Sequence, residues 1–146
     1  MLFRSEELCF LFRLNETGFL PCLSQLMADE RVLKVGLSLK DDFLMLRRRD
    51  PAFVPGGYID LQDYAKQMGI LDMSLQKLYA NVFHMRISKS AQLSNWEADT
   101  LTESQRVYAA TDAYTCIQLY KELKLLKESR NFQLVEPELV QSPNQQ

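Results

Sequence analysis

Tyr108 and Asp112 lie four residues apart in a segment with helical periodicity, so their side chains share one helix face, one turn apart. A carboxylate at this position could ligate a hard divalent cation. The phenol one turn earlier could hydrogen-bond a water molecule that attacks a substrate. An ordinary helix surface with an aromatic and an acidic residue has the same spacing, so the pair alone leaves both interpretations open.

Asp42 follows Asp41 directly after a strand-like run that contains Val35 and Gly36. Acidic side chains placed beyond the carboxyl end of a strand project into the crevice where α/β sheets bind their ligands. Acidic residues are also favoured at a helix start because they cap free backbone amides. A site residue and a structural cap are therefore both compatible with Asp42.

Composition limits the class of protein. The chain has 146 residues, of which 47% are hydrophobic, and this is enough for one domain with a packed core. Its net charge of −2 excludes a polycation that binds nucleic acid by bulk charge, but not an enzyme whose carboxylates hold metal ions. Three widely spaced cysteines, no signal peptide and no long apolar run predict free thiols in a cytoplasmic protein.

Hydrophobic periodicity predicts an α/β fold with helices packed on a sheet. Thr102 and Gln105 form a capping-box pattern that opens the longest helix, and Ser74 caps another. The stripe of that longest helix is predicted to be Val107, Ala110, Tyr114, Ile117, Tyr120 and Leu123. The predicted strands span residues 7–14, 32–39 and 58–61, the other helices 21–28, 41–49 and 61–68, and a turn 15–18. One domain is expected over residues 1–130, and a disordered tail over 131–146.

Two segments resemble motifs of the DEDDy-type 3′–5′ exonucleases, the RNase D and Werner-like family of the ribonuclease H-like superfamily. The stretch 34–46 (KVGLSLKDDFLML) resembles the second motif, and 105–114 (QRVYAATDAY) resembles the tyrosine-bearing third motif. Between them, Tyr58–Leu61 and the segment from Lys89 to Leu101 resemble further shared stretches. The resemblance runs from about Glu7 to about Leu126, in the family's order and spacing.

The resemblance implies a mixed sheet flanked by helices and a site that holds two Mg²⁺ or Mn²⁺ ions. Asp42 and Asp112 would be metal ligands, and Tyr108 would orient the water that attacks the terminal phosphodiester. The substrate would be single-stranded DNA or RNA with a free 3′ end. His84, Asp41 and Asp60 receive no catalytic role from it.

Lys89, Ser90 and Trp96 fall in the stretch that lies near the substrate in relatives. Lysine and serine contact phosphate without reading sequence, and an aromatic ring stacks on an unpaired base. A core-anchoring tryptophan and a solvated lysine fit the sequence equally well. The basic run Arg47–Arg49 is interpreted as a solvated helix end.

The chain departs from the family in one motif. It contains no Asp-x-Glu sequence, which in the family supplies the remaining two carboxylates, and its only Glu-x-Glu is Glu136–Glu138 in the tail. We therefore expect the first two strands of the sheet to be absent, the isolated chain to be nearly inactive, and exposed strand edges to invite self-association or complementation. A non-catalytic nucleic-acid-binding or scaffold protein with a degenerate exonuclease fold is the alternative function.

Overall fold

A computed structural model describes residues 1–5, 7–72, 74–88 and 91–129 of the chain. Helices and strands alternate along it, which confirms the predicted α/β class. The elements are β1 (Leu2–Arg4), β2 (Cys9–Leu11), α1 (Leu14–Thr17), α2 (Pro21–Ala28), β3 (Lys34–Gly36), α3 (Leu39–Arg49), β4 (Tyr58–Asp60), α4 (Leu61–Lys66), α5 (Leu75–Phe83) and α6 (Glu103–Ser129).

The described strands form two separate two-stranded sheets. β1 and β2 are antiparallel, with Phe3 opposite Phe10, whereas β3 and β4 are parallel, with Val35 opposite Ile59. β1 was not predicted, because the connection between it and β2 carries no glycine or asparagine turn signal. Each described strand is three residues long, so β2, β3 and β4 are shorter than the runs that predicted them. The rest of each run is irregular chain or the start of the following helix.

Helix α6 packs against both sheets. The Arg4 guanidinium of β1 lies 4.3 Å from the centroid of the Tyr114 ring, and Val35 of β3 packs into the core cluster that contains Cys116 and Leu119. β1 has one hydrogen-bonded neighbour, β2, and β3 has one, β4. One edge of each strand is therefore unpaired within the described part of the chain, and both strands rest on the same stretch of α6.

Two hydrophobic clusters hold the fold together. The larger joins α4, α5 and α6 to the underside of β3; its buried members are Leu61, Ala65, Met68, Leu78, Cys116, Leu119 and Leu123. The smaller joins α2 and α3 to the first hairpin; its buried members are Met27, Phe43, Leu46 and Phe53. Burial of these apolar side chains fixes where α3 and α6 lie, and these two helices carry the candidate catalytic residues.

The predicted cap of α6 is present. The Thr102 backbone N–H donates to Gln105 Oε1 at 2.8 Å, and the Gln105 backbone N–H donates to Thr102 Oγ1 at 3.2 Å. The predicted apolar stripe of this helix is confirmed only in part: Leu123 is buried and Tyr120 packs against the larger cluster, whereas Val107 is 56% exposed. The buried face instead includes Gln105, Thr115, Cys116, Leu119 and Leu123.

Other helices agree more closely with the sequence. α2 has the predicted bounds, with Leu23 and Met27 buried, and the Ser74 hydroxyl accepts a 3.3 Å hydrogen bond from the Lys77 N–H at the start of α5. The turn predicted over 15–18 is instead the single helical turn α1, ended by Gly18 with φ 68°. None of the helices described is both long and apolar enough to cross a bilayer. The predicted tail over 131–146 lies outside the described residues.

Candidate active site

Asp112 lies on α6 one turn before buried Cys116 and is itself partly buried. Its Oδ1 atom is shielded from solvent and has no hydrogen-bond partner among the described residues. Desolvation by burial raises the pKa of this carboxyl above its ordinary value, and a hydrogen bond from Tyr108 acts in the opposite direction. A shielded acceptor without a partner is costly in a folded protein, so such an oxygen is suited to a cation or another donor.

The Tyr108 phenol interacts with two side chains. Burial raises its pKa, the neighbouring charge of Asp112 and a hydrogen bond to that carboxylate raise it further, and a hydrogen bond with Gln76 lowers it. Tyr108 and Asp112 thus lie together, as their spacing predicted. Gln76 was missed because it lies on α5, and no local pattern marks a contact between two helices that are distant in sequence.

Asp42 lies in the first turn of α3 and is exposed. The pKa of its carboxyl is raised, mainly by desolvation and then by the charges of Asp41 and Asp60, while the Met1 ammonium lowers it. Neither Asp41 nor Asp42 caps the helix, because α3 begins at Leu39. A structural cap therefore no longer accounts for Asp42.

The pKa of the Cys116 thiol is influenced by the charges of three acidic residues. Its pKa is raised to about 12, first by burial and then by the charges of Asp112, Asp60 and Asp42. Asp42 on α3 and Asp112 on α6 therefore act on the same buried atom. However, in the described part of the chain no three His, Cys, Asp or Glu side chains come close enough together to form a metal site.

The Asp60 carboxylate is hydrogen-bonded to backbone amides. This carboxylate ends β4, is only 7% exposed, and accepts hydrogen bonds from the N–H groups of Ser38 at 3.2 Å, Leu39 at 2.8 Å and Gln62 at 3.0 Å. It caps α4 and also the start of α3, where Ser38 adopts the left-handed conformation with φ 62°. Its role as a strand-end acid is thus structural.

The remaining candidates are placed as follows. The Trp96 ring lies 6.1 Å from the Tyr108 ring, centroid to centroid, at an angle of 53°. Lys89 and Ser90 lie outside the described residues. His84 is an exposed residue that ends α5. Arg49 is not simply solvated, because its guanidinium donates to the Leu14 carbonyl at 3.0 Å.

The chain resembles known 3′–5′ exonucleases over most of its length. A family model described as 3′–5′ exonuclease matches residues 2–127. Exonuclease 3′–5′ domain-containing protein 2 of Homo sapiens is 37% identical over 135 residues, which cover 85% of this chain and 22% of that protein. The bifunctional 3′–5′ exonuclease/ATP-dependent helicase WRN of Mus musculus is 32% identical over 125 residues, which cover 82% of this chain and 9% of that protein. The chain thus spans a minor part of both relatives.

A solved structure has the same fold. The EXO domain of Nibbler from Aedes aegypti superposes with a TM-score of 0.65 at 22% identity, over 74% of this chain and 59% of that one. At this identity the superposition supports the fold alone. The match to the family model supports the assignment to a family. The resemblance seen in the second and third motifs is confirmed: the chain belongs to the 3′–5′ exonuclease family.

Proposed function

We propose that this chain forms the catalytic part of a DEDDy-type 3′–5′ exonuclease that hydrolyses the terminal phosphodiester of nucleic acid with a free 3′ end. One observation carries the proposal within this family. The Asp112 carboxylate has a shielded oxygen without a partner and lies beside the Tyr108 phenol on α6. The Asp112 carboxylate, which can accept hydrogen bonds or ligate a cation, and the Tyr108 hydroxyl, which can donate one, thus lie on one helix face.

The side chains present suit a hard divalent cation. Asp42 and Asp112 offer carboxylate oxygens, which Mg²⁺ and Mn²⁺ prefer over nitrogen or sulfur ligands. The unpartnered Asp112 oxygen is the atom that gains most from a cation, because a nearby positive charge stabilises the carboxylate against its desolvation. Bound ions would activate water and neutralise charge on the leaving oxygen.

Tyr108 would hold the attacking water. Since the pKa of its phenol is raised above the ordinary value near 10, the hydroxyl keeps its proton at neutral pH. It can therefore donate a hydrogen bond and accept one, and either fixes the orientation of a water molecule. Its neighbour Trp96 would stack on an unpaired base, while Lys89 and Ser90 would contact the phosphates.

We further propose that the 146 residues alone are poorly active. Two divalent ions carry four positive charges, and Asp42 with Asp112 supplies only two negative ones, because the sequence has no Asp-x-Glu pair. The open edges of β1 and β3, which both rest on α6, are suited to pairing with a further strand that carries such a pair. Self-association could use the same edges, but a second copy of this sequence would not supply the Asp-x-Glu pair.

Manganese titration of single-stranded oligonucleotide cleavage tests the proposal. The variants are the wild-type chain, Asp112→Asn, and a chain preceded by an added strand that carries Asp-x-Glu. We expect weak cleavage by the first, none by the second, and strong cleavage from the 3′ end by the third. Equal cleavage by wild type and Asp112→Asn would refute the role of Asp112.

A non-catalytic nucleic-acid-binding protein is the second candidate. One observation favours it: the described residues contain no group of three potential metal ligands. This candidate predicts that oligonucleotides bind with the same affinity with and without manganese, and that even the strand-extended chain leaves them uncut.

A further inference from the structure

Residues 91–99, here called the Trp96 loop, are held as a compact unit that faces the start of α6. The Ser94 hydroxyl donates to the Ala91 carbonyl at 2.6 Å, and the Trp96 indole N–H donates to the Gln92 carbonyl at 3.2 Å. Ala91 is buried, whereas the Trp96 ring is only partly covered. These bonds order the loop internally, but they do not determine where it lies on the domain.

The Gln105 side chain joins this loop to α6. Its Nε2 donates to Ser94 Oγ at 3.0 Å and to the Asn95 carbonyl at 2.9 Å. Its Oε1 accepts from the Thr102 N–H, which is the capping bond of the helix. Gln105 is only 4% exposed, so this carboxamide is withdrawn from water and all its bonds are to protein. One side chain therefore serves both the helix cap and the loop.

The two uses of Gln105 require different atoms. The Thr102 N–H needs an acceptor, and the Asn95 carbonyl needs a donor, so the orientation of the carboxamide is dictated by its partners. The Ser94 hydroxyl gives its proton to Ala91 and hence accepts from Gln105. A glutamate at this position keeps the acceptor for the cap and loses the donor for the loop.

A second anchor lies at the other end of the loop. The Arg13 guanidinium donates to the carbonyls of Ala98 at 2.5 Å and Asp99 at 2.6 Å, and it pairs with Glu16. Between the two anchors the Trp96 ring lies beside the Tyr108 ring and is tilted against it by 53°. A partly exposed ring that is already ordered loses little side-chain freedom on binding. Such a ring is suited to stack on a base.

We propose that Gln105 is a positioning residue that holds the Trp96 ring beside Tyr108, and that this ring, here called the platform, is thereby kept in place to stack on an unpaired base. The inference rests on the proposed function, since it names a part of the substrate site. Gln105 makes the capping bond with Oε1 and the loop bonds with Nε2, so a substitution can remove one set and keep the other. Only the loop bonds affect the position of the platform.

Trp96 is the only tryptophan of the chain, so its fluorescence reports on the loop alone. The test compares the wild-type chain with Gln105→Glu in a chelator-containing buffer, in which metal-dependent cleavage cannot occur. Trp96 emission and its quenching by acrylamide are measured first. Binding of a short fluorescent oligothymidylate is measured next. We expect Gln105→Glu to shift the emission to the red, to increase quenching about twofold, and to weaken binding roughly tenfold, as the loss of one stacked base would.

Two variants serve as controls. Thr102→Ala removes the partner hydroxyl of the cap but leaves the Nε2 bonds, so Trp96 emission and oligothymidylate binding should stay as in the wild type. Ser94→Ala removes one acceptor of Gln105 together with the Ser94–Ala91 bond inside the loop, and it should shift the emission in the same direction by a smaller amount. It keeps the test decisive if Gln105→Glu does not fold.

The outcomes separate this inference from the proposed function. Unchanged Trp96 emission in both Gln105→Glu and Ser94→Ala would overturn the positioning role. A shifted emission with unchanged oligothymidylate binding would overturn the platform, while manganese-dependent cleavage by the strand-extended chain could still succeed. If the wild-type chain does not bind the oligomer at all, the platform is refuted together with the nucleic-acid role.

Discussion

Two partly or wholly buried carboxylates, Asp60 and Asp112, lie in regions that pack on each other, yet their surroundings are opposite. Asp60 accepts three backbone N–H bonds where β4 meets the starts of α3 and α4. Asp112, on α6, has an oxygen without a hydrogen-bond partner in the part of the chain that the structure describes. Both acids raise the pKa of Cys116, so both act on the same interior region.

This difference separates a structural acid from a candidate ligand. Three amides stabilise the charge of Asp60 and leave it little capacity for a cation. Asp112 is desolvated and receives only the hydrogen bond from Tyr108, so its shielded Oδ1 destabilises the fold unless a ligand binds. This difference is the reason why we propose Asp112, rather than Asp60, as the carboxylate that binds a cation.

The largest effect is expected from Asp60→Ala. The substitution leaves three backbone amides without an acceptor and disconnects α3 from β4, so the free energy of unfolding should fall by about 3 kcal/mol or more. Urea denaturation measures it. Asp63→Ala is the matched control, because this exposed acid pairs with exposed Lys40 at 3.2 Å and its loss should change stability by less than about 0.5 kcal/mol. A loss below about 1 kcal/mol at Asp60 would contradict the comparison.

Metal binding tests the proposed role of Asp112. With manganese at about 100 times its dissociation constant, we expect the wild-type chain to gain about 2.7 kcal/mol of stability, and Asp112→Asn to gain almost none. Without metal, Asp112→Asn should be more stable than the wild type by about 1 kcal/mol, because the neutral amide avoids the desolvated charge. Thermal unfolding with and without manganese measures both, with Asp63→Asn as control. Metal stabilisation of Asp112→Asn equal to that of the wild type would exclude Asp112 as a ligand.

The pH dependence of stability sharpens this prediction. The folded-state pKa of Asp112 is raised above the ordinary value of 3.8, so the folded protein binds more protons and wild-type stability falls as pH rises through that raised pKa. The advantage of metal-free Asp112→Asn should hence be absent below pH 3.8 and reach a plateau above the raised pKa. Urea denaturation of both proteins across this range measures it; an advantage independent of pH would assign it to packing.

The smallest expected effect concerns Cys116. Since its pKa is raised to about 12 and it is buried, alkylation of the native protein at neutral pH should modify the exposed Cys9 and Cys22 and spare Cys116. Asp112→Asn removes one charge that raises this pKa, so Cys116 should react slightly faster than in the wild type. Peptide mass spectrometry after timed alkylation gives each rate. Rapid modification of Cys116 in the wild type would contradict the buried position of α6.

Much of the fold follows from local patterns in the sequence. The bounds of α2, the Ser74 cap and the capping box of Thr102 with Gln105 were all predicted, because each depends on residues within one helical turn. The convergence of Tyr108 and Asp112 has the same origin. The strand β1 and the buried face of α6 were not predicted correctly. A three-residue strand has no usable period, and the face that a helix buries depends on what packs against it.

The sequence by itself determined most of the helices, the caps at Ser74 and Thr102, the family, and the identities of Asp42, Tyr108 and Asp112 as candidates. Only the tertiary structure decided that Asp60 is fully engaged, that Asp112 is not, and that Gln105 extends beyond its cap to the Trp96 loop. The physical reason is the separation in sequence between the residues that interact. A hydrogen bond between neighbours in one turn is encoded in their spacing, whereas Asp60 reaches Leu39 across 21 residues, and Gln105 reaches Asn95 across 10. Such partners are chosen by the packing of α3, β4 and α6.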